Sequence, residues 1–376
     1  MDDRISLLPN EILSHILSFL PTEDVYATTV LSKRWMHLPL LVPTLDINDQ
    51  RFVQTRSKSY PNFVMMVCAT LFAHMVPRYI ENKIPITRVT ISFYAGVETS
   101  LFIKSLTAVA ERGMTHLELL VYLPHSPCFI FSFRTLVVLK LKEIMFHDFS
   151  TVVELASLKI LRLFKVYFKK RQYLCELLNG CPNLEEFEAK DLTLLYGCGF
   201  LGDKVKFMKL SNLIRADINN LHPFYYVPPL TALSNVQFLR LEEVYDRGAF
   251  SNLTHLELVF AKMEVNWFMV YGMLNDCPNL QSFLFDKPQL LKPLYHRWFV
   301  PPIVPKCFSS QFRKCKITNY YRCELKFVKY IIKNSTSIQS VILHTPPSLD
   351  PFDKLEVLNE LFSAVGCSSQ CEIIFI

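Results

Sequence analysis

The side chains best able to do covalent or metal chemistry in this chain are its thiols and imidazoles, and their spacing limits what they can do. Eleven cysteines and ten histidines are spread over 376 residues. Cys307, Cys315 and Cys323 recur evenly, and Cys367 and Cys371 lie close, but no C-x-x-C pair occurs and no histidine stands at zinc-finger distance. His15 falls in a helical stretch, while His116 and His255 each precede a leucine of a strand pattern. A lone imidazole in such a place is ordinarily a surface or satisfied residue. No P-loop, H-E-x-x-H, G-x-S-x-G or dinucleotide fingerprint is present. No local motif joins nucleophile, base and orienting group, so the residues point to a non-catalytic chain with no metal or cofactor.

Composition narrows the partners. Lys and Arg are interspersed with Asp and Glu and the net charge is only +6, which argues against nucleic acid. The longest apolar run, Phe63 to Val76, falls short of the roughly 20 residues a membrane span needs. The opening Asp2-Asp3-Arg4 leads into no long apolar segment of a secretory signal. Reduced thiols in cytosol or nucleus are therefore expected. Apolar residues make up 51% of the chain, enough for a large core in two or three domains.

If the chemistry is recognition, some element must present it. From Met1 to about Leu41 three short helices are expected. Pro9 suits a helix start, Ile12, Leu13, Ile16, Leu17 and Leu20 follow at helical spacing, and Pro21 closes the run. The Thr22 hydroxyl is placed to cap the second helix. So small a unit, with no cysteine to staple it, cannot bury all its apolar surface. Pattern alone leaves two readings open: a docking surface, or a subdomain packed on the adjoining domain.

Ile5-Ser6-Leu7-Leu8-Pro9-Asn10-Glu11-Ile12-Leu13, Ile16 to Pro21 and Ala27 to Trp35 (ATTVLSKRW) together resemble an F-box. More narrowly, the chain is similar to the plant F-box proteins that also carry leucine-rich repeats and an FBD segment. The resemblance implies docking of a Skp-type adaptor, and through it a cullin, by Leu8, Pro9, Ile12, Leu13, Ile16, Leu17, Leu20, Pro21, Leu31 and Trp35.

Beyond the F-box (residues 1–45), residues 46–84 are expected to be a polar connector and a helix from Phe63 to about Glu81. From 85 to 300 one pattern recurs: apolar, two others, apolar, one other, apolar. It begins at Ile86, Met114, Leu136, Leu158, Leu184, Leu213, Val236, Leu253 and Leu280. The intervals run from 17 (Val236 to Leu253) to 29 (Leu184 to Leu213). Leucine-rich repeats are about 20–29 residues long. The phrases Leu177 to Leu184 (LLNGCPNL) and Leu274 to Leu280 (LNDCPNL) are nearly the same, and Cys181 and Cys277 are expected to tuck inward. Stacked repeats form an α/β solenoid, a curved array whose strands turn alternate side chains outward. Those expected on the concave, target-binding face are Lys140, Lys142, Arg162, Glu186, Glu188, Lys190, Arg215, Asp217, Arg240, Glu242, His255 and Glu257. Residues 301–376 restate strand and helix patterns and resemble the FBD segment, expected to continue or cap the array.

The expectation is thus a substrate-recognition subunit of an SCF-type ubiquitin ligase. Two alternatives use the same array: a ligand-binding receptor, or a scaffold outside any ligase.

Overall fold

The computed structural model describes residues 4–49, 67, 69–71, 85–93, 99–121, 126–149, 151–196, 209–219, 230–242, 248–260, 265–287, 298, 300–320, 324–345, 351–365 and 371–376. Contacts divide the chain into two compact units, one of Met1–Leu184 with Asp191–Val205, the other of Glu185–Lys190 with Lys206–Ile376.

The first unit opens with helices α1 (Asn10–Leu17) and α2 (Thr22–Ala27). The third expected helix is instead 3-10, over Thr28–Val30 and Trp35–Leu41. Pro39 lies inside the longer segment, where its missing N–H and its ring work against an α-helix. Helix α1 stops at Leu17, short of the expected Leu20. The connector expected from Asp46 also needs correcting. Residues Thr44–Asn48 form strand β1, because Val42, Leu45 and Ile47 repeat the spacing of the later strands. Of the helix expected from Phe63, residues 67 and 69–71 are described and are helical, and the rest lies outside the described residues.

Next come β2 (Arg88–Phe93), α3 (Thr99–Ala110), β3 (His116–Val121), β4 (Val138–Lys142), β5 (Met145–Phe146), β6 (Ile160–Phe164), β7 (Tyr167–Lys170), α4 (Arg171–Asn179) and, after the other unit's first strand, Thr193–Tyr196. Strands β1, β2, β3, β4 and β6 pair in that order, all parallel. Alternation sends one face of every strand inward. Leu45, Val89, Leu117, Leu139 and Leu161 therefore align, as do Ile47, Ile91, Leu119, Leu141 and Leu163, and none is more than 2% exposed.

The second unit begins with β8 (Glu186–Lys190); the strand at Thr193–Tyr196 is β9. Its further elements are β10 (Arg215–Asn219), β11 (Phe238–Glu242), β12 (His255–Val259), α5 (Trp267–Asn275), β13 (Ser282–Asp286), β14 (Lys314–Ile317), α6 (Leu325–Asn334), β15 (Ser340–Leu343), α7 (Pro351–Val365) and β16 (Glu372–Phe375). Strand β8 pairs with β10, and β10 through β16 follow in chain order, again parallel. Phe187, Ala216, Leu239, Leu256, Phe283, Cys315 and Val341 form its inner row.

Each of the nine repeated patterns coincides with a strand, and the first apolar residue of each is buried. Sequence reading missed three details of how repeats join. An asparagine before that apolar residue reaches one repeat back, Asn183 to the Ala156 carbonyl (2.8 Å), Asn235 to Ser211 (2.9 Å) and Asn279 to Ser251 (2.7 Å). Glu143, Lys165 and Asp191 follow β4, β6 and β8 in the left-handed region, at φ 54°, 50° and 54°. That conformation costs an L-residue about 1–2 kcal/mol. In the first unit the chain past these turns forms a second, three-stranded sheet, β5-β7-β9, over which Phe131, Phe146 and Phe168 stack. Finally, Lys287 and Glu324, 4% and 3% exposed, pair at 2.7 Å, joining the end of β13 to the start of α6.

Candidate functional site

Two surfaces bear on function, and the N-terminal helices form the first. Leu13, Leu17, Val25, Trp35, Leu38 and Val42 make a small core, with Leu8 and Leu41 packed against it. Hydrogen bonds tie this core together and to β1. The Asp46 amide donates to Thr22 Oγ1 (2.7 Å), Thr44 Oγ1 donates to the Ser18 carbonyl (3.3 Å), and Ser14 Oγ to the Leu41 carbonyl (2.6 Å). Thr22 therefore does not cap α2: its hydroxyl is buried and receives the strand's amide. Arg34 donates to the Ser6 and Leu8 carbonyls and to Asn10 Oδ1 (2.9 Å), and Trp35 Nε1 donates to Ser6 Oγ (2.9 Å). Sequence reading missed this clamp, which fixes the segment before α1.

The ten residues expected at an adaptor surface thus divide. Leu13, Leu17 and Trp35 lie in the small core. Leu8 and Pro21 are half-buried, and Pro9, Ile12, Ile16, Leu20 and Leu31 are exposed. Around them Leu7 is 79% exposed, Phe19 76% and Val30 85%. His15 packs edge-on against Phe19, with ring centroids 5.0 Å apart. Exposed apolar residues gathered on one small element mark an interaction surface.

The second surface is the outward face of the strands. In the first unit Asp46, Thr90, Glu118, Lys140 and Arg162 line one row. Glu118 accepts from Lys142 (2.7 Å) and Lys140 (3.1 Å). Burial pushes its carboxyl up, but those two ammonium groups outweigh burial and hold it below its ordinary value. Burial, and then the charge of Glu118, raise Asp46. In the second unit Glu188, Asp217, Arg240 and Glu257 share a row, and Glu186, Arg215, Phe238 and His255 share the next. Lys190 bonds Glu188 and lies 3.9 Å from Asp217, and Arg240 lies 3.7 Å from Glu257. Glu242 is half-buried at the end of β11. Asp217 corrects the expectation of a solvent-facing array: it is only 8% exposed, and its Oδ1 has no hydrogen-bond partner. Burial raises its carboxyl despite nearby Lys190 and Arg240.

Among the described residues, the buried thiols are unsuited to nucleophilic work. Cys181 and Cys277 are fully buried. Burial pushes Cys181, Cys307 and Cys315 up to about 12 and Cys175 up to about 11, and raises Cys277 further. Among the described residues no three His, Cys, Asp or Glu side chains converge to hold a metal ion. No described helix is long and apolar enough to cross a membrane.

Comparison with known proteins defines the class. The F-box domain model matches residues 5–41, the element carrying the apolar surface, and the FBD model matches residues 301–343, which contain β14, α6 and β15. The chain thus contains a segment that matches the F-box domain and, toward its C-terminus, one that matches the FBD. It is 26% identical to the F-box/FBD/LRR-repeat protein At5g56420 of Arabidopsis thaliana, with 99% of each chain covered. It is 27% identical to the putative F-box/FBD/LRR-repeat protein At3g49030 of the same plant, over all of this chain and 95% of the other. Against the Arabidopsis F-box/LRR-repeat protein At4g14096 identity reaches 35%, over 50% of this chain and 40% of the relative. F-box proteins in general are adaptors that bring substrates to SCF ubiquitin ligases by binding a Skp-type subunit.

Proposed function

We propose that this chain is the substrate-recognition subunit of an SCF-type ubiquitin ligase, and that its parallel strands are the repeats of a leucine-rich solenoid. Pro9, Ile12, Ile16, Leu20 and Leu31 contact the Skp-type adaptor, joined by Leu7, Phe19 and Val30. Leu13, Leu17 and Trp35 hold that surface in shape, and Leu8 and Pro21 form its edge. The observation that carries the reading is the exposure of these apolar side chains within the segment matched as an F-box. The outward face of the strands, with Lys140, Lys142, Arg162, Glu186, Glu188, Arg215, Arg240, Glu242, His255 and Glu257, receives a target protein. Ubiquitin transfer then follows from proximity: a tethered target lysine meets the charged conjugating enzyme at high effective concentration. The chain itself supplies position and no reacting group.

The test is affinity purification of the full chain from plant cells with the proteasome blocked. Co-purification of a Skp-type adaptor, a cullin and a ubiquitinated third protein is expected. Recovery of the chain without adaptor or cullin overturns the assignment in favour of a scaffold outside any ligase.

A further inference from the structure

A cavity of about 320 Å³ opens on the outward face of the second unit, across β10, β11 and β12. Arg215 and Phe238 are paired residues on neighbouring strands, and the guanidinium carbon of Arg215 lies 3.5 Å from the centre of the Phe238 ring. A guanidinium laid over a ring is held flat while its N–H edge stays free. Among the described residues no ion pair to a carboxylate is formed by Arg215, which stands opposite Glu186 and acts on Asp217 through its charge alone, whereas Lys190 and Arg240 on the same face sit within ion-pair distance of acidic groups. The cavity's two glutamates, at positions 185 and 186, are themselves already partnered. The Arg215 guanidinium edge is the group in this lining that faces open space with a hydrogen-bond donor to offer.

Across the cavity stands His255, paired with Phe238 on the far side of β11. Thr254 Oγ1 lies 3.1 Å from the Gln237 carbonyl and 2.8 Å from His255 Nδ1, and its one proton can go to only one of them. With the hydroxyl donating to Gln237, Nδ1 of His255 carries the proton it shares with Thr254, and in the neutral ring Nε2 is the acceptor. The arrangement is built into the repeat: Thr115 donates to the Thr87 carbonyl (3.1 Å) and holds His116 Nδ1 at 2.8 Å in the same way.

From these positions we infer that the Arg215–Phe238–His255 cavity is a subsite for an extended acidic segment of a partner polypeptide, with a Glu or Asp carboxylate on the Arg215 edge and a backbone N–H on His255 Nε2. Arg215 and His255 lie two strands apart, about 9–10 Å. That is about the reach of three residues of extended chain. Ile214, 45% exposed at the cavity wall, and the edge of Phe238 cover the aliphatic part of the acidic side chain. The two glutamates in the wall favour a singly charged carboxylate over a doubly charged phosphate. Six of the eight lining residues are polar or charged, with Ile214 and Phe238 the two apolar ones.

The inference rests on the reading of this face as target-binding, but its test does not need the adaptor. Full-length chain is titrated into fluorescein-labelled octapeptide pools with Glu, Gln or phosphoserine fixed at the fourth position and the rest randomised, read by fluorescence anisotropy. The Glu pool is expected to bind about tenfold or more tightly than the Gln pool. Arg215→Ala erases that difference, Phe238→Leu reduces it, and Lys165→Ala in the other unit leaves it unchanged. Equal binding of the Glu and Gln pools, or a preference that survives Arg215→Ala, overturns the proposal. Tighter binding of the phosphoserine pool overturns it in favour of a phosphate site. Each variant is also assayed for adaptor capture. Capture retained while the peptide preference fails counts against this subsite alone, and capture absent from the wild type counts against the ligase reading.

Discussion

The N-terminal helices and the strands of the first unit are built from the same side chains, yet they treat them in opposite ways. Leu139 and Leu161 are 0% exposed, and Leu139 is held between Leu117 and Leu161 in an aligned row. Ile16, one turn from the buried Leu13 on the same helix, is 45% exposed, and Leu31 is 63% exposed. A stack of strands adds a buried row with every repeat. A 40-residue helical piece has too little interior for all its apolar groups. The apolar groups it leaves outside are therefore available for a partner, and stability and recognition separate by position within one sequence pattern.

Shaving the two regions alike gives the largest contrast. Leu139→Ala removes a fully buried side chain from the row and is expected to cost about 2–5 kcal/mol, read as a lower urea midpoint at unchanged slope. Ile16→Ala, on the half-exposed ridge, is expected to stay under about 1 kcal/mol while adaptor binding falls. Equal destabilisation by the two would erase the distinction.

Next in size is Gly180→Ala, between α4 and the following strand. An added Cβ there would sit 2.3 Å from Val153 Cγ1, too close without movement. A loss of about 1–3 kcal/mol is expected, partly recovered by adding Val153→Ala.

Asp217→Asn should act in the other direction. A carboxyl whose folded pKa is raised supports the fold fully below its unfolded value, and that support is lost as pH rises through the folded one. The variant is therefore expected to have the higher urea midpoint at neutral pH, with the gain shrinking as the solution is acidified. A gain that instead grew in acid would reverse the assigned shift. Smallest is Arg134→Ala, whose pair with Glu154 is 71% and 45% exposed, for which a change within about 0.5 kcal/mol is expected.

Much of this was legible in the sequence, for a physical reason. Strand alternation and stacking turn a repeat into a spacing, so all nine patterns from Ile86 to Leu280 could be located without coordinates. β1 escaped because Asp46 and Asn48, on the outward face, make Thr44–Asn48 look polar, although Leu45 and Ile47 keep the inward rhythm. On α1 the apolar residues were correctly found, but the direction of each was not readable. Leu13 and Ile12 differ only by about 100° of helix rotation, and only the packing partner decides which is covered. The charged residues alternate with the buried ones along β4, β6, β8, β11 and β12, which the spacing does encode. The burial of Asp217 and the stacking of Arg215 on Phe238 depend on neighbours contributed by other repeats, more than 20 residues away, which spacing does not encode.

The central claim is that the apolar surface left open on the first helices is the one that binds the adaptor. It is tested most directly by titrating a purified Skp-type adaptor against the full chain and against the double variant Ile16→Asp, Leu31→Asp, with urea unfolding run on both. The account predicts submicromolar binding by the wild type, binding lost in the variant, and unfolding midpoints that agree. Undiminished binding by a variant carrying two charges on that surface would contradict it.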